Sequence, residues 1–552
     1  MISFIIFYKN SQLYNQNDNI LVYASKVYPY DNPSLTFDIS RISFCQPKQT
    51  IYGPYNWIDS FMGSRPMFTD VVLNFNKNVT NKTICTSILT KESIKTLQYA
   101  IQHNYVMEFM IDKIPSWIRL GTTASDKAQI YSHISFSINT INGTITDINA
   151  TDSEPVDLVE NKEITFTLSA TFHSVDEKRL QRIRNEKITK TSVHLYSLFN
   201  TSILSMLLVL LVALISNKIS TKELISMKNF EGFEFESLND RGWKAVRGDV
   251  FRPAVKMQFL TILCGSGVQI FVFVLIYSLI MWQTRSNMPY LLTFFIITSP
   301  LCGLLSVSSA QAFGIHKWLR ISLGSVSIVP IAAICICLPV WLLSIVNNST
   351  FGPSIIQIIF FVIVTIILFM PLSSLGGALA VKRKIFMDNK CEVKLVPRKI
   401  PKQPWYLKSP WIGFFPLIVC GIPSTIELHY VFISLWGPHV FYPFELLAIS
   451  ITLISINACC STIISVYLLL QSENYHWQWQ SFIYPASAGI ATFIYSIFYY
   501  ICNTSMNCIF QACCYFGFSI FISICISLLC GGIGFTSSNI FVHSMYNNIK
   551  FD

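Results

Sequence analysis

Residues 475–482 read YHWQWQSF, and they stand between two apolar runs, 441–471 and 481–502. A helix crosses about 30 Å of hydrocarbon with about 20 apolar residues, and each run is that long. Two tryptophans, a histidine and two glutamines make a dense joint for two such helices. Outward from this joint the same alternation repeats. After the N-terminal third come nine apolar runs, at 197–216, 257–282, 289–310, 321–346, 354–381, 410–435, 441–471, 481–502 and 508–535. Ser, Pro and Gly interrupt the third and eighth, which helices tolerate in lipid where neighbours satisfy the freed backbone groups.

Composition agrees. The 552 residues are 52% hydrophobic, 14% aromatic and 13% charged, with mean hydropathy +0.47. Soluble chains carry about 25% charged residues. Most of this one belongs in a lipid bilayer. The net charge of +10 is not a nucleic-acid signal, because the basic residues gather in loops between apolar runs. Of 16 cysteines, 14 lie beyond residue 260 and nearly all sit in apolar stretches, where they read as small polarizable packing residues. No C-x-x-C pair accompanies histidines at zinc spacing, so neither a metal nor a cofactor is expected. Cys45 and Cys85 stand apart in the N-terminal third, and an exported domain would pair them as a disulfide.

That third is polar and mixed, with β-branched and aromatic runs such as DNILVYASKVYPY (18–30) and EITFTLSATFHSV (163–175). Alternation and turn residues predict a strand-rich domain. Sequons at Asn78, Asn81, Asn142 and Asn149 lean towards a lumenal side. The loops point the same way. Segment 217–256 holds eight Lys/Arg and 382–408 holds nine, whereas the alternate loops share Arg285 alone. Basic loops face the cytosol. The expected fold is a membrane α-helical bundle of nine transmembrane helices with an N-terminal β-rich lumenal domain. Its expected divisions are residues 1–196 (domain), 197–216 (first span), 217–256 (cytosolic loop), 257–535 (spans two to nine) and 536–552 (cytosolic tail). One stretch pulls against this orientation. EKRLQRIRNEKITK (177–190) places six basic residues before the first span. A cleaved signal peptide would commit the domain to export first, but the apolar run in MISFIIFYKN is too short for one. The expectation is a true N-terminus upstream.

Ahead of the second span stands GWKAVRGDVFRP (242–253), by composition an amphipathic segment on the cytosolic face. The order of Gly242, Trp243, Gly248, Asp249, Phe251, Arg252 and Pro253 resembles the signature of the transmembrane 9 superfamily, also called nonaspanins or the endomembrane protein 70 family. CGSGVQIF (264–271), IPKQPWY (400–406), WIRLG (117–121), YASKVYPYDNP (23–33) and FCQP (44–47) resemble further family segments. ENYHWQWQSF (473–482) is similar to the family's motif between spans seven and eight, carried here by Glu473, Tyr475, His476, Trp477 and Trp479. The joint reads either as an interfacial hinge fixing two helices or as a contact for client proteins or lipids.

The resemblance implies a protein of Golgi and endosomes that helps sort membrane proteins with glycine-rich transmembrane segments, affecting adhesion and phagocytosis in relatives. Small residues let helices approach closely, and Gly265/Gly267, Gly376/Gly377 and Gly531/Gly532/Gly534 are either client faces or internal packing sites. The terminal Lys550-Phe551-Asp552 resembles the family's retention signal, with Lys550 and Asp552 read by the COPI coat. The competing class is a secondary transporter of a small solute or ion. Glu427 with nearby His429 is its intramembrane candidate, and Gln269 and Asn457 are candidate partners for Glu427. The spans hold no aspartate pair and no serine with a partner base, so no enzyme is expected.

Overall fold

The computed structural model describes residues 12–30, 34–39, 51–53, 60–112, 114–124, 127–176, 191–229, 242–284, 291–383, 395–436, 444–504, 506 and 508–547. Among the described residues, and besides the helix Lys91–Gln102, the N-terminal third is built of nine strands. These are β1 (Asn19–Pro29), β2 (Met67–Asn74), β3 (Val79–Ile88), β4 (Tyr105–Ile111), β5 (Ile114–Arg119), β6 (Gly121–Ala124), β7 (Lys127–Ile141), β8 (Thr144–Asp157) and β9 (Glu163–Ser174). One sheet runs β2-β1-β4-β5; the other runs β3-β9-β7-β6, with β8 paired to β7. Alternation decides which face is buried. In β1, Ile20, Val22 and Ala24 point inward; from β7 and β9 come Phe136, Ile138, Leu168 and Ala170. Phe109 of β4 and Phe136 of β7 meet edge-on, with ring centroids 5.6 Å apart, and join the two sheets across a shared core. Between β7 and β8 the chain turns through Asn142 (φ 47°) and Gly143 (φ 80°), a two-residue turn whose positive φ at both positions suits Asn-Gly.

Among the described residues nine helices are long and apolar enough to cross a membrane. The first runs Thr191–Asn229, the second Met257–Thr284, the third Leu291–Ala312 and the fourth Trp318–Val346. The fifth is broken by one π turn, Thr365–Phe369, between Ile355–Val364 and Met370–Arg383. The sixth is Ser409–Trp436 and the seventh Phe444–Gln471. Trp477–Ala486 and Ala488–Asn503 form the eighth, and the ninth is Ile509–Asn547. The seventh is the most enclosed, with 72% of its apolar window buried.

Three helices depart most from the sequence reading. The first helix starts at Thr191 rather than 197 and continues to Asn229, into the stretch expected as loop. The eighth begins at Trp477, so the joint's WQWQ is helical from its first tryptophan. The ninth continues past 535 because Ser538, Asn539, Val542 and Tyr546 are buried against neighbours, although their polarity lowers the local hydropathy. Residues of the expected tail are therefore largely helix; Lys550 and Asp552 lie outside the described residues.

The domain is seated on one end of the bundle. Thr36 O accepts from Thr350 N and from Ser349 Oγ, both at 2.9 Å, and Phe61 O accepts from Gly352 N at 2.9 Å. Leu35, Val340, Phe351, Phe510 and Cys514 form the apolar part of this seam. The ninth helix starts there and carries in its last turn Tyr546, whose hydroxyl donates to Trp243 O (2.6 Å) among the loops of the opposite end.

Candidate functional site

At that opposite end, segments far apart in sequence converge. The chain enters at Gly242 with φ +75°, a left-handed conformation that glycine adopts without a Cβ penalty. Its amide donates to Glu473 Oε1 (3.2 Å), while Glu473 Oε2 pairs with Arg398 Nη2 at 2.9 Å. Glu473 holds φ +60°, which a non-glycine residue keeps only where its surroundings demand it. Arg398 also donates through Nη1 to Ala245 O (3.1 Å) and through its backbone N–H to Asp249 Oδ2 (3.0 Å). The other oxygen of Asp249 accepts from Arg252 Nη2 at 2.7 Å and Nε at 3.1 Å. Asp249 is buried with both oxygens bonded, as a buried carboxylate must be. Gly248 is buried in the turn beside it, and Pro253 is exposed.

The joint seals this knot. Trp477 is fully buried, and its Nε1–H donates to Val250 O at 2.9 Å. Gln478 Nε2 donates to Val250 O (3.2 Å) and to Arg252 O (3.1 Å); Trp479 Nε1 donates to Val255 O at 2.8 Å. Trp243 and Phe251 pack on Tyr546, with Phe251 also against His543. Tyr475 is buried, whereas His476 is exposed. Both motifs thus serve one clamp, binding the ends of spans two, seven, eight and nine to the segment before span six. Arg398 and Tyr546 complete it, and neither was singled out in the sequence, because a cation in a basic loop and a tyrosine at a helix end carry no local signal.

The intramembrane candidates divide otherwise. Glu427 is bonded neither to Gln269 nor to Asn457. Its Oε2 accepts from His194 Nε2 at 2.9 Å, and the imidazole lies over the Tyr430 ring with centroids 4.1 Å apart. His194 is in reach because the first helix begins earlier than its apolar run. Asn457 Oδ1 instead accepts from Ser205 Oγ (2.8 Å), Gln269 Nε2 lies 3.4 Å from Phe295 O, and His429 Nδ1 meets Tyr495 Oη at 2.7 Å. The three glycine groups face inward. A Cβ on Gly267 would collide with Leu528 O and one on Gly376 with Pro300 O; one on Gly265 would sit 2.7 Å from Cys302 O, and one on Gly534 2.8 Å from Ser481 O. These glycines set close crossings inside the bundle.

In the domain, Cys85 is disulfide-bonded, while Cys45 lies outside the described residues. The sequon asparagines Asn78, Asn81, Asn142 and Asn149 are all exposed. Asn78 Oδ1 accepts from Phe172 N (2.9 Å) and Asn81 bonds Ser169, so these two also tie β3 to β9.

A two-sheet domain seated on a nine-span bundle, clamped at the far end by an Asp249–Arg398–Glu473 knot, defines a multi-pass membrane protein. The chain belongs to the Endomembrane protein 70 family, whose model matches residues 36–509. It is similar to Transmembrane 9 superfamily member 2 of Arabidopsis thaliana, at 26% identity over 97% of this chain and 95% of that relative. It is likewise similar to Transmembrane 9 superfamily member 1 of Bos taurus, at 26% identity over 98% of this chain and 94% of that one.

Proposed function

We propose that this protein resides in Golgi and endosomal membranes, with its domain lumenal and its C-terminus cytosolic. There it assists the sorting of membrane proteins whose transmembrane segments are rich in glycine. The match to the family over residues 36–509 carries this reading. The orientation is supported by Arg247, Arg252, Arg398, Lys399 and Lys402 clustering at the clamp end, while the sequons lie in the domain. Lys550 and Asp552 would engage the COPI coat. Since Gly265, Gly267, Gly376 and Gly534 are occupied internally, client segments would meet the outer faces of the bundle. The test is the cell-surface membrane proteome with and without this gene product. Loss of glycine-rich-span proteins from the surface is expected, and unchanged abundance of all of them refutes the reading.

A second reading, transport of a small solute or ion, draws on the Glu427–His194 pair at membrane depth. Reconstituted protein that moves a radiolabelled solute, with movement abolished by Glu427→Gln, would favour it. Neither reading involves catalysis.

A further inference from the structure

Residues 399–414, KIPKQPWYLKSPWIGF, lead into the sixth span and leave their large aromatic side chains outside the bundle. Trp405 is 65% exposed, Trp411 52% and Phe414 50%. Their rings touch one another instead. Trp405 meets Trp411 edge-on with centroids 5.5 Å apart, and Trp411 meets Phe414 at 5.6 Å. The backbone beneath them is held. Arg398 is tied into the clamp, Gln403 Nε2 donates to Ser472 O (3.3 Å), and Ser409 Oγ meets Tyr484 Oη at 2.8 Å. Pro401 and Pro404 stiffen the stretch between these anchors. Lys399, Lys402 and Lys408 are exposed on it, and none is paired with a carboxylate among the described residues.

Lys408 stands where it matters most. Trp411 N and Ile412 N both donate to its carbonyl, at 3.1 and 3.3 Å, so it opens the first turn of the span. Trp411, Phe415, Ile418 and Ile422 follow it on one helix face, and all four are exposed. In a membrane that face meets acyl chains, and tryptophans at a helix end sit at headgroup level. Lys408 therefore heads a lipid-facing stripe at the depth of lipid phosphate, with Lys402 and Lys399 on the exposed approach. A single phosphodiester would answer Lys408 alone. Three unpaired ammoniums along one braced segment suit a headgroup with several phosphates. We infer that residues 399–414 bind an inositol phospholipid that carries phosphates on its ring. Its phosphodiester meets Lys408, its ring phosphates meet Lys402 and Lys399, and its acyl chains run along Trp411, Phe415 and Ile418. An acidic protein segment would answer the charge but not the stripe. Each lysine near such a surface contributes about 1 kcal/mol of attraction. The inference goes beyond the sorting reading and shares only its orientation.

The test uses the full chain in phosphatidylcholine nanodiscs and follows its tryptophan fluorescence, quenched by lipids brominated on an acyl chain. Brominated bisphosphorylated inositol lipid and brominated phosphatidylserine are compared at a rising share of the bilayer. Half-maximal quenching is expected at a share about tenfold lower for the inositol lipid. Lys402→Gln and Lys408→Gln should each raise that share about fivefold. Both replace exposed side chains, so the melting temperature should not move. Trp405→Phe combined with Trp411→Phe should remove the extra quenching, since these rings stand beside the lipid. Equal shares for the two lipids overturn the inference, as do unmoved values in both lysine variants. Extra quenching that survives loss of the two tryptophans also overturns it, by placing the lipid elsewhere. So does full relief by the soluble inositol phosphate headgroup at equal concentration, which assigns the site to a free phosphate compound. Such failures leave the surface-proteome comparison untouched, and an unchanged surface proteome leaves the lipid measurement standing.

Discussion

Trp477, first residue of the eighth-span helix, donates its indole N–H to the carbonyl oxygen of Val250, 2.9 Å away and 227 positions earlier in the chain. That bond is how the aromatic joint and the GDVFRP segment act as one object. The tryptophan fills the middle of the clamp, with Phe535 stacked along one side and Phe313 tilted against it.

Replacing Trp477 separates its two contributions. Trp477→Ala removes a fully buried side chain and should cost about 3–5 kcal/mol. Trp477→Phe keeps most of the volume, and Val250 O retains Gln478 as a donor at 3.2 Å, so the loss should be about 1 kcal/mol. Heating the detergent-solubilised protein and following its monodisperse fraction ranks the two. Equal losses would remove the central role assigned to the indole.

At the entry to the clamp, backbone geometry should outweigh charge. Gly242→Ala forces a Cβ into φ +75°, 3.0 Å from Gln471 Nε2, and should cost about 1–2 kcal/mol. Glu473→Gln keeps an acceptor for the Gly242 amide and gives up the pairing to Arg398, whose side chain is 45% exposed. A pair so open to solvent contributes about 0–1 kcal/mol. Protease cleavage within residues 242–256 should accelerate more in Gly242→Ala, and the opposite order would contradict the geometry.

Glycines in the bundle should differ according to what faces them. Gly376→Ala drives a methyl into Pro300 O, a backbone atom that moves only if the helices part, and should cost about 1–3 kcal/mol or more. Gly421→Ala meets Ala491 Cβ at 3.1 Å and gains about 1 kcal/mol of helix propensity, which offsets the tight contact. Melting temperatures of the two variants should lie on opposite sides of a clear gap. Similar values would mean that the Gly376 crossing has slack.

Glycan attachment reads out the orientation. Asn142 is exposed at the tip of the β7–β8 turn, where a transferase can reach it. Asn142→Asp keeps the left-handed preference of the turn and deletes the acceptor. It should abolish one endoglycosidase-sensitive step in gel mobility. Wild-type protein from cells with no such step at any of the four asparagines would place the domain on the cytosolic side.

The number of spans, the β-rich character of the first third and the family motifs were all legible in the chain. Apolar runs near 20 residues, period-two alternation and motif order are local properties, so neighbours along the chain suffice to read them. Tertiary structure alone decided what the motifs do. Arg398 reaches Glu473 and Asp249 across 75 and 149 positions, and Glu427 takes His194 across 233, rather than Gln269 or Asn457. Helix ends also escaped the sequence. Hydropathy marks where lipid is tolerated, whereas the ninth helix persists to Asn547 because Tyr546 and Val542 are buried against the clamp. Local chemistry therefore set the elements, and long-range packing with hydrogen-bond satisfaction set their partners.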